Sequence, residues 1–186
     1  MKYIIEHLED EVWDWCILEY KHMSEVVGKG NLIFTNVPKK EHHKLEKYGE
    51  VHEESVRKLK IDFKKACLME MITDDVLVTS DKNKFEYFIF GGILGDYPPQ
   101  GRTKVLHDLC EMRSLGREQM STDTAVLVTN MILNGKKLSD IKFQDTIELD
   151  TKEGESVILP YRYVLENEKP VLPKGLFEML KNQEGI

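Results

Sequence analysis

The residues best suited to ligand chemistry are Gly91-Gly92-Ile93-Leu94-Gly95-Asp96, which directly follow the aromatic run FEYFIFG at 85–91. Glycines at such a place let backbone approach a ligand closely and permit positive φ. The pattern is not GxGxxG. The nearest match to a P-loop, Gly95 to Gly101-Arg102-Thr103, has one residue too many, carries Pro98-Pro99 and lacks the lysine. Chemical sign narrows the choice further. Asp96 ends the glycine loop and Asp123 falls in the first turn of an apolar helix that starts at Ser121 or Thr122. A carboxylate there already complements the partial positive charge that would otherwise hold a phosphate.

Two apolar glycine loops bearing carboxylates therefore disfavour a phosphate ligand. They suit an adenosine body with cationic groups, such as S-adenosyl-L-methionine. Other polar clusters have plainer explanations. His42, His43, Glu46, Glu50, His52 and Glu53 are dense enough to ligate a metal but contain no HExxH, and they read as a solvated helix face. The lysines and arginine between 39 and 65 offer an RNA-facing patch as one reading, but they alternate with six acids, which favours ordinary surface helix. Trp13 and Trp15 flank Asp14 and so point to different sides of a helix, with at least one partly exposed. Cys110 has no evident partner beyond His107.

The elements that must position these groups follow from periodicity. Residues 2–7 read as a short buried strand, and 12–28 as a helix, with Val12, Trp13, Cys16, Ile17, Tyr20, Met23 and Val27 at helical spacing before Gly28. A second strand at 31–37 completes a βαβ unit, the seed of a parallel sheet. Residues 39–65 are charged and mostly helical in propensity, with a short strand near Val51. DVLVT at 75–79 and the run at 85–91 are the strongest strand patterns. Five of the twelve glycines then fall within 91–116, so irregular backbone concentrates there. A helix over 121–134, stopped by Gly135, is apolar nearly all round and must be buried. Beyond it, 146–149, 157–159, 161–165 and 169–172 are β-like, and a last short helix covers 175–181.

Composition bounds the whole. With 26 basic and 33 acidic residues in 186 the net charge is −7, and 41% of residues are hydrophobic, as in one globular domain and unlike a disordered chain or a basic nucleic-acid coat. No apolar run approaches the length of a membrane span, and charges interrupt any signal-peptide core at the start. Three widely spaced cysteines without a CxxC pair suit a reducing cytoplasmic setting.

Phe88 to Pro99 (FIFGGILGDYPP), Arg102-Thr103-Lys104, Arg113-Ser114-Leu115-Gly116 and Gln119 to Ala125 (QMSTDTA) closely resemble the SPOUT class of methyltransferases. Within the class the likeness is to the branch holding the eukaryotic protein arginine methyltransferase that modifies a small-subunit ribosomal protein, together with archaeal-type proteins regarded as RNA methyltransferases. KYIIEH at 2–7, PYRYVL at 160–165 and LPKG at 172–175 extend the resemblance over nearly the whole chain, and 39–71 matches least. It implies an α/β fold with a mostly parallel sheet, helices on both faces and a C-terminal trefoil knot within residues 1–135, followed by a β-rich extension over 136–186. Knots are nearly absent from other folds and cannot be read from periodicity. The resemblance also implies S-adenosyl-L-methionine bent in the knot and held by three loops. These supply Ser80 after the 75–79 strand; Gly91, Gly92, Leu94, Gly95 and Asp96; and Leu115, Gly116, Met120, Ser121, Thr122 and Thr124. SPOUT enzymes usually pair, so a homodimer is expected.

The activated methyl group is the cofactor's own, so the protein must align an acceptor and complement charge. A guanidinium is a permanent cation with a fork of N–H donors and calls for carboxylates, whereas RNA calls for lysine and arginine. Asp96 and Asp123, Glu6 at the end of the first strand and Glu19 on the following helix supply carboxylates; Arg102 and Arg113 are the opposing evidence. The sequence thus favours an arginine in a protein, a ribosomal or other translation-related one, as acceptor. RNA is the alternative, and a non-catalytic ribosome-associated binding protein the second.

Overall fold

The computed structural model describes residues 1–93, 97, 98, 100–152 and 155–182. Its elements are β1 (Lys2–His7), α1 (Asp14–Val27), β2 (Leu32–Thr35), α2 (His42–Leu45), β3 (Glu50–Val51), β4 (Ala66–Met69), β5 (Tyr87–Gly92), β6 (Glu111–Arg113), α3 (Thr122–Leu133), β7 (Phe143–Lys152), β8 (Glu155–Glu166), β9 (Lys169–Pro170) and α4 (Leu176–Asn182). Strands β1 to β6 form one sheet in the order β3-β2-β1-β5-β4-β6, with every pair parallel. The last three strands make a separate antiparallel sheet.

Strand β1 is central and buried on both sides, as its apolar run requires. The two-residue period sends Tyr3 and Ile5 to one face and Ile4 to the other. On the first face Tyr3, Ile5, Phe34, Phe88 and Phe90 pack against Cys16, Tyr20 and Met23 of α1 and Val126, Val128 and Ile132 of α3. On the second, Ile4, Ile33, Leu68 and Ile89 are covered by Val56 and Leu106, which lie in 3₁₀ turns at Val56–Lys58 and Arg102–Leu106. Turns thus do the work expected of helices on that face. Helix α3 stops where Gly135 takes φ +106°, a conformation that costs glycine little.

The DVLVT segment is not a sheet strand. It makes one isolated bridge, Val76 to Ser114, and runs into a 3₁₀ turn at Thr79–Asn83. Val76 and Val78 are exposed and only Leu77 is buried. The sheet position goes instead to β4, four fully buried residues at the end of the lysine-rich segment.

The hairpin β7–β8 and α4 cover the outer side of α1. Ile147, Leu159, Tyr163, Leu176 and Leu180 form a third apolar cluster, with Trp15 and Leu18 packed against it.

Candidate active site

A cavity of about 170 Å³ lies at the carboxyl ends of β4 and β5, where parallel α/β sheets place their ligands. Strand β4 and its continuation supply Met69, Glu70 and Met71, and β5 supplies Phe90, Gly91 and, just beyond it, Ile93. Gln100, Gly101, Arg102 and Thr103 close one side. The loop from Leu115 and Gly116 through Glu118, Gln119, Met120, Ser121 and Thr122 closes another, with Ala125 behind it. Glu19 enters from α1 and Tyr161 from β8.

Several residues chosen from the sequence meet here: Gly91, Leu115, Gly116, Met120, Ser121, Thr122 and Glu19. Thr122 Oγ1 donates to the carbonyls of Gly91 and Ile93 at 3.3 and 3.4 Å, tying the start of α3 to the end of β5. Leu94, Gly95 and Asp96 lie outside the described residues.

Others are elsewhere. Ser80 is exposed in the 3₁₀ turn and does not line the cavity; Met69–Met71, at the carboxyl end of the true strand β4, take its place. Gly92 faces β1 and α1. A Cβ there would meet Ile5 Cγ2 and Tyr20 Oη at 2.8 Å, so its role is packing and not access for a ligand. At Gly91 the Cβ would meet Thr103 Cγ2, a residue of the cavity wall. Thr124 is buried with its hydroxyl 2.9 Å from Ser121 Oγ, a contact local to the helix start.

Glu6 is also displaced from its expected role. Its position in β1 turns it toward Ile4 and away from Ile5, where Oε2 accepts the hydroxyl of Thr35 and, at 2.8 Å, the backbone N–H of Val56. This buried carboxylate anchors the turn at Val56–Lys58 and does not line the cavity.

Glu19 is the buried acid in the wall. Trp15 Nε1 donates to its Oε1 at 3.0 Å. Burial, reinforced by the negative charge of Asp123, pushes the Glu19 carboxyl well above the usual carboxylate range; the hydrogen bond from Trp15 opposes this. Asp123 is fully buried behind it, its Oδ2 at 2.7 Å from His22 Nδ1 and its Oδ1 accepting from Ser121 Oγ at 2.7 Å. Trp15, Glu19 and His22 recur at i, i+4 and i+7, so one stripe of α1 carries all three, a helical signal masked by the apolar stripe beside it.

Glu19 is reached from the sequence, but Glu70 and Glu118 are not, and Glu70 stays hidden because the strand before it, β4, lacks the composition that marks a strand. Its Oε2 accepts Thr103 Oγ1 and lies 3.1 Å from His107 Nε2, while Oε1 accepts the N–H of Met71 at 2.9 Å. The two arginines are structural partners of acids. Arg102 donates to Leu8 O and to Glu9 Oε1 at 2.7 Å, and Arg113 to Asp81 Oδ2 at 3.2 Å. Arg113 also lies outside the cavity wall.

The wall fits the proposed cofactor. Met69, Phe90, Ile93, Leu115, Met120 and Ala125 offer apolar surface for a nucleoside, and Glu19, Glu70 and Glu118 offer negative charge to a sulfonium. The cation in the wall, Arg102, is engaged by Glu9, and no lysine lines the cavity among the described residues, so a polyphosphate finds little to hold it.

The chain is 39% identical over 205 aligned positions to a Saccharomyces cerevisiae protein named Protein arginine N-methyltransferase SFM1, covering all of this chain and 96% of that one. Crystal structures of the yeast arginine methyltransferase SFM1 with SAH and with SAM superpose at a TM-score of 0.88 each, at 37% and 38% identity, over 97% of this chain and 94% and 89% of theirs. The dual-specific Trm10 from Thermococcus kodakaraensis shares 14% identity at a TM-score of 0.56, covering 75% of this chain and 96% of its own, which shows a likeness to the SPOUT methyltransferase fold. The family described as Protein arginine N-methyltransferase SFM1-like matches residues 2–185, and this chain belongs to it.

Proposed function

We propose that this protein methylates an arginine side chain of a protein, a ribosomal or other translation-related one, in the cytoplasm. The observation that carries the reading is Glu19, a buried carboxylate presented to a cavity whose arginine is already paired. Negative charge is what a guanidinium acceptor requires and what an RNA backbone would repel. Three unpaired thiols support the compartment.

S-adenosyl-L-methionine, when bound, supplies a methyl group on a sulfonium: the N–C bond forms as the C–S bond breaks with its electron pair on sulfur, leaving one proton to be lost from the acceptor nitrogen. The carboxylate of Glu19 orients the guanidinium by charge-assisted hydrogen bonds and takes that proton. Apolar walls exclude water and strengthen the interaction. Glu70, held by three donors of its own chain, fixes the Thr103 side of the cavity.

Tyr161 completes the cavity from the same chain's hairpin, and that hairpin covers α1. This favours a single chain as the competent unit over the expected homodimer, and light scattering at micromolar concentration distinguishes them. The trefoil knot remains part of the proposal; the insertion of β5 between β1 and β4 and the likeness to SPOUT structures support it.

The test is incubation of the protein with radiolabelled S-adenosyl-L-methionine and cell extract, with and without ribonuclease, followed by amino-acid analysis. Label is expected in ribonuclease-resistant material and in methylarginine. Label lost to ribonuclease would assign RNA as the acceptor, and no label at all would leave a binding protein.

A further inference from the structure

Residues 75–79 have the composition of a strand yet join the sheet through a single bridge, and the way they join it leaves an edge open. The C=O of Arg113 accepts the Glu70 N–H on the β4 side, so the next residue, Ser114, turns its own backbone groups outward. Its N–H donates to Asp75 O at 2.8 Å and its C=O accepts the Leu77 N–H at 2.9 Å. The parallel bridge between Val76 and Ser114 thus sets this segment beyond β6, at the outer limit of the sheet. In that geometry the N–H and C=O of Val76 point away from Ser114, and neither has a hydrogen-bond partner among the described residues. Val78 closes the edge: its N–H donates to Asp81 Oδ2 and its C=O accepts the Asp81 N–H, each at 3.0 Å.

The side chains on this edge are apolar and face water. Ile72, Val76 and Val78 are 66%, 43% and 50% exposed, so three of the large hydrophobic residues left at the surface fall within seven positions. Sheets normally blunt such an edge with lysine, proline or a covering element, and residues 72–78 contain neither lysine nor proline. The edge is also continuous with the cavity: Met71, just before it, and Leu115, just after the bridging Ser114, both line the wall. Exposed carboxylates border the way in. Asp75 has no ion-pair partner among the described residues, and Glu118 stands in the cavity wall itself.

We propose that residues 72–78 are a docking edge for an extended, positively charged peptide, which pairs its main chain with Val76, lays apolar side chains on Ile72 and Val78, and so presents a neighbouring arginine to the cavity. The inference rests on the protein-arginine reading given above. Strand addition draws affinity from main-chain hydrogen bonds and specificity from alternate side chains, and it gives 75–79 the second partner that its composition anticipates. The chemistry of the edge selects this occupant. A partner helix would leave the Val76 N–H and C=O unmet, a second copy of the edge would set Asp74 and Asp75 against their like, and RNA would meet the same carboxylates.

The probe is a short capped peptide of alternating threonine and valine with a central arginine and a lysine at each end, compared with the same peptide N-methylated throughout, which keeps the side chains but has no N–H to pair. Calorimetry and amide hydrogen exchange by NMR are run on the full chain with S-adenosyl-L-homocysteine present. The first peptide is expected to bind saturably and to slow exchange at the Val76 amide. The N-methylated peptide, and Val76→Pro with the first peptide, should each bind about tenfold more weakly, the worth of one or two backbone hydrogen bonds. Val76→Thr keeps the N–H and should bind as wild type does. Val76→Pro removes a donor that has no partner within the chain, so its thermal midpoint should hold; should it fail to fold, the two peptides on wild type still decide. Equal affinity for both peptides, an unchanged Val76 amide, or slowing that follows protein concentration and not peptide, as pairing between two copies would give, would overturn the inference. Binding is read without turnover, so label found on RNA would count against the proposed function, while loss of peptide pairing alone would count against this edge.

Discussion

Trp15 Nε1 donates to Glu19 Oε1 at 3.0 Å one turn along α1, so the acid in the cavity wall is held in place by its own helix. The second buried acid, Asp123, lies in the first turn of α3, where the helix dipole favours negative charge. Glu19→Gln should cut methyl transfer by about 10²-fold or more, the cost of losing one positioned electrostatic group in a dry site, and should lower cofactor affinity by calorimetry far less, because Glu70 and Glu118 still face the sulfonium. Retention of full rate would remove Glu19 from the chemistry.

The same group should cost stability. Its carboxyl is raised on folding, so the folded state binds more protons than the unfolded one between the ordinary glutamate range and the raised value. Stability contributed by Glu19 is therefore present at acid pH and is lost as pH rises through that window. Glu19→Gln is expected to melt above wild type near neutral pH, the gap closing toward about pH 4, the ordinary glutamate range; thermal melts at several pH values measure this.

Adjacent glycines should separate two effects. Gly92→Val places atoms against Ile5 and the hydroxyl of Tyr20 in the packed core, and should lower the melting temperature sharply or prevent folding. Gly91→Ala strikes the Thr103 side chain instead, displacing it from Glu70, and should weaken S-adenosyl-L-methionine binding in a protein that still folds. Calorimetry and melting curves run on both variants read the contrast.

Glu6→Ala leaves the Val56 N–H buried without its acceptor and the Thr35 hydroxyl with only the Ile5 carbonyl, at a cost of about 1–3 kcal/mol. Methyl transfer per folded molecule should be unchanged. A large loss of rate with stability intact would return Glu6 to the acceptor site.

Glu6 also shows how far the sequence carries. The first βαβ unit and the buried helix with its glycine stop are legible in it, because apolar periodicity and turn residues report directly on burial, while the loop from Leu115 to Thr124 is legible only through the resemblance to the SPOUT class. The acid at the end of β1 is legible as a strand-end residue, but which face it takes depends on parity: Glu6 shares its side with Ile4. DVLVT has strong β propensity yet gains only one bridge, because just one of its apolar residues finds the interior, whereas ACLM has no such propensity and is wholly buried. Without β4, Glu70 stays concealed. Tyr161 is beyond reach for another reason, since its place in the wall depends on a hairpin folding back across the sheet.

That hairpin makes one more connection. The backbone N–H of Arg162 donates to the carbonyl of Gln119 at 2.8 Å, and Met120 and Arg162 form an isolated parallel bridge, so the loop lining the cavity is stitched edge-on to β8. The C-terminal segment is therefore no detachable appendage. A change made far out on the hairpin, or a fusion that strains it, is transmitted along β8 into the loop that surrounds the cofactor, and would be mistaken in a mutational scan for a defect in ligand recognition.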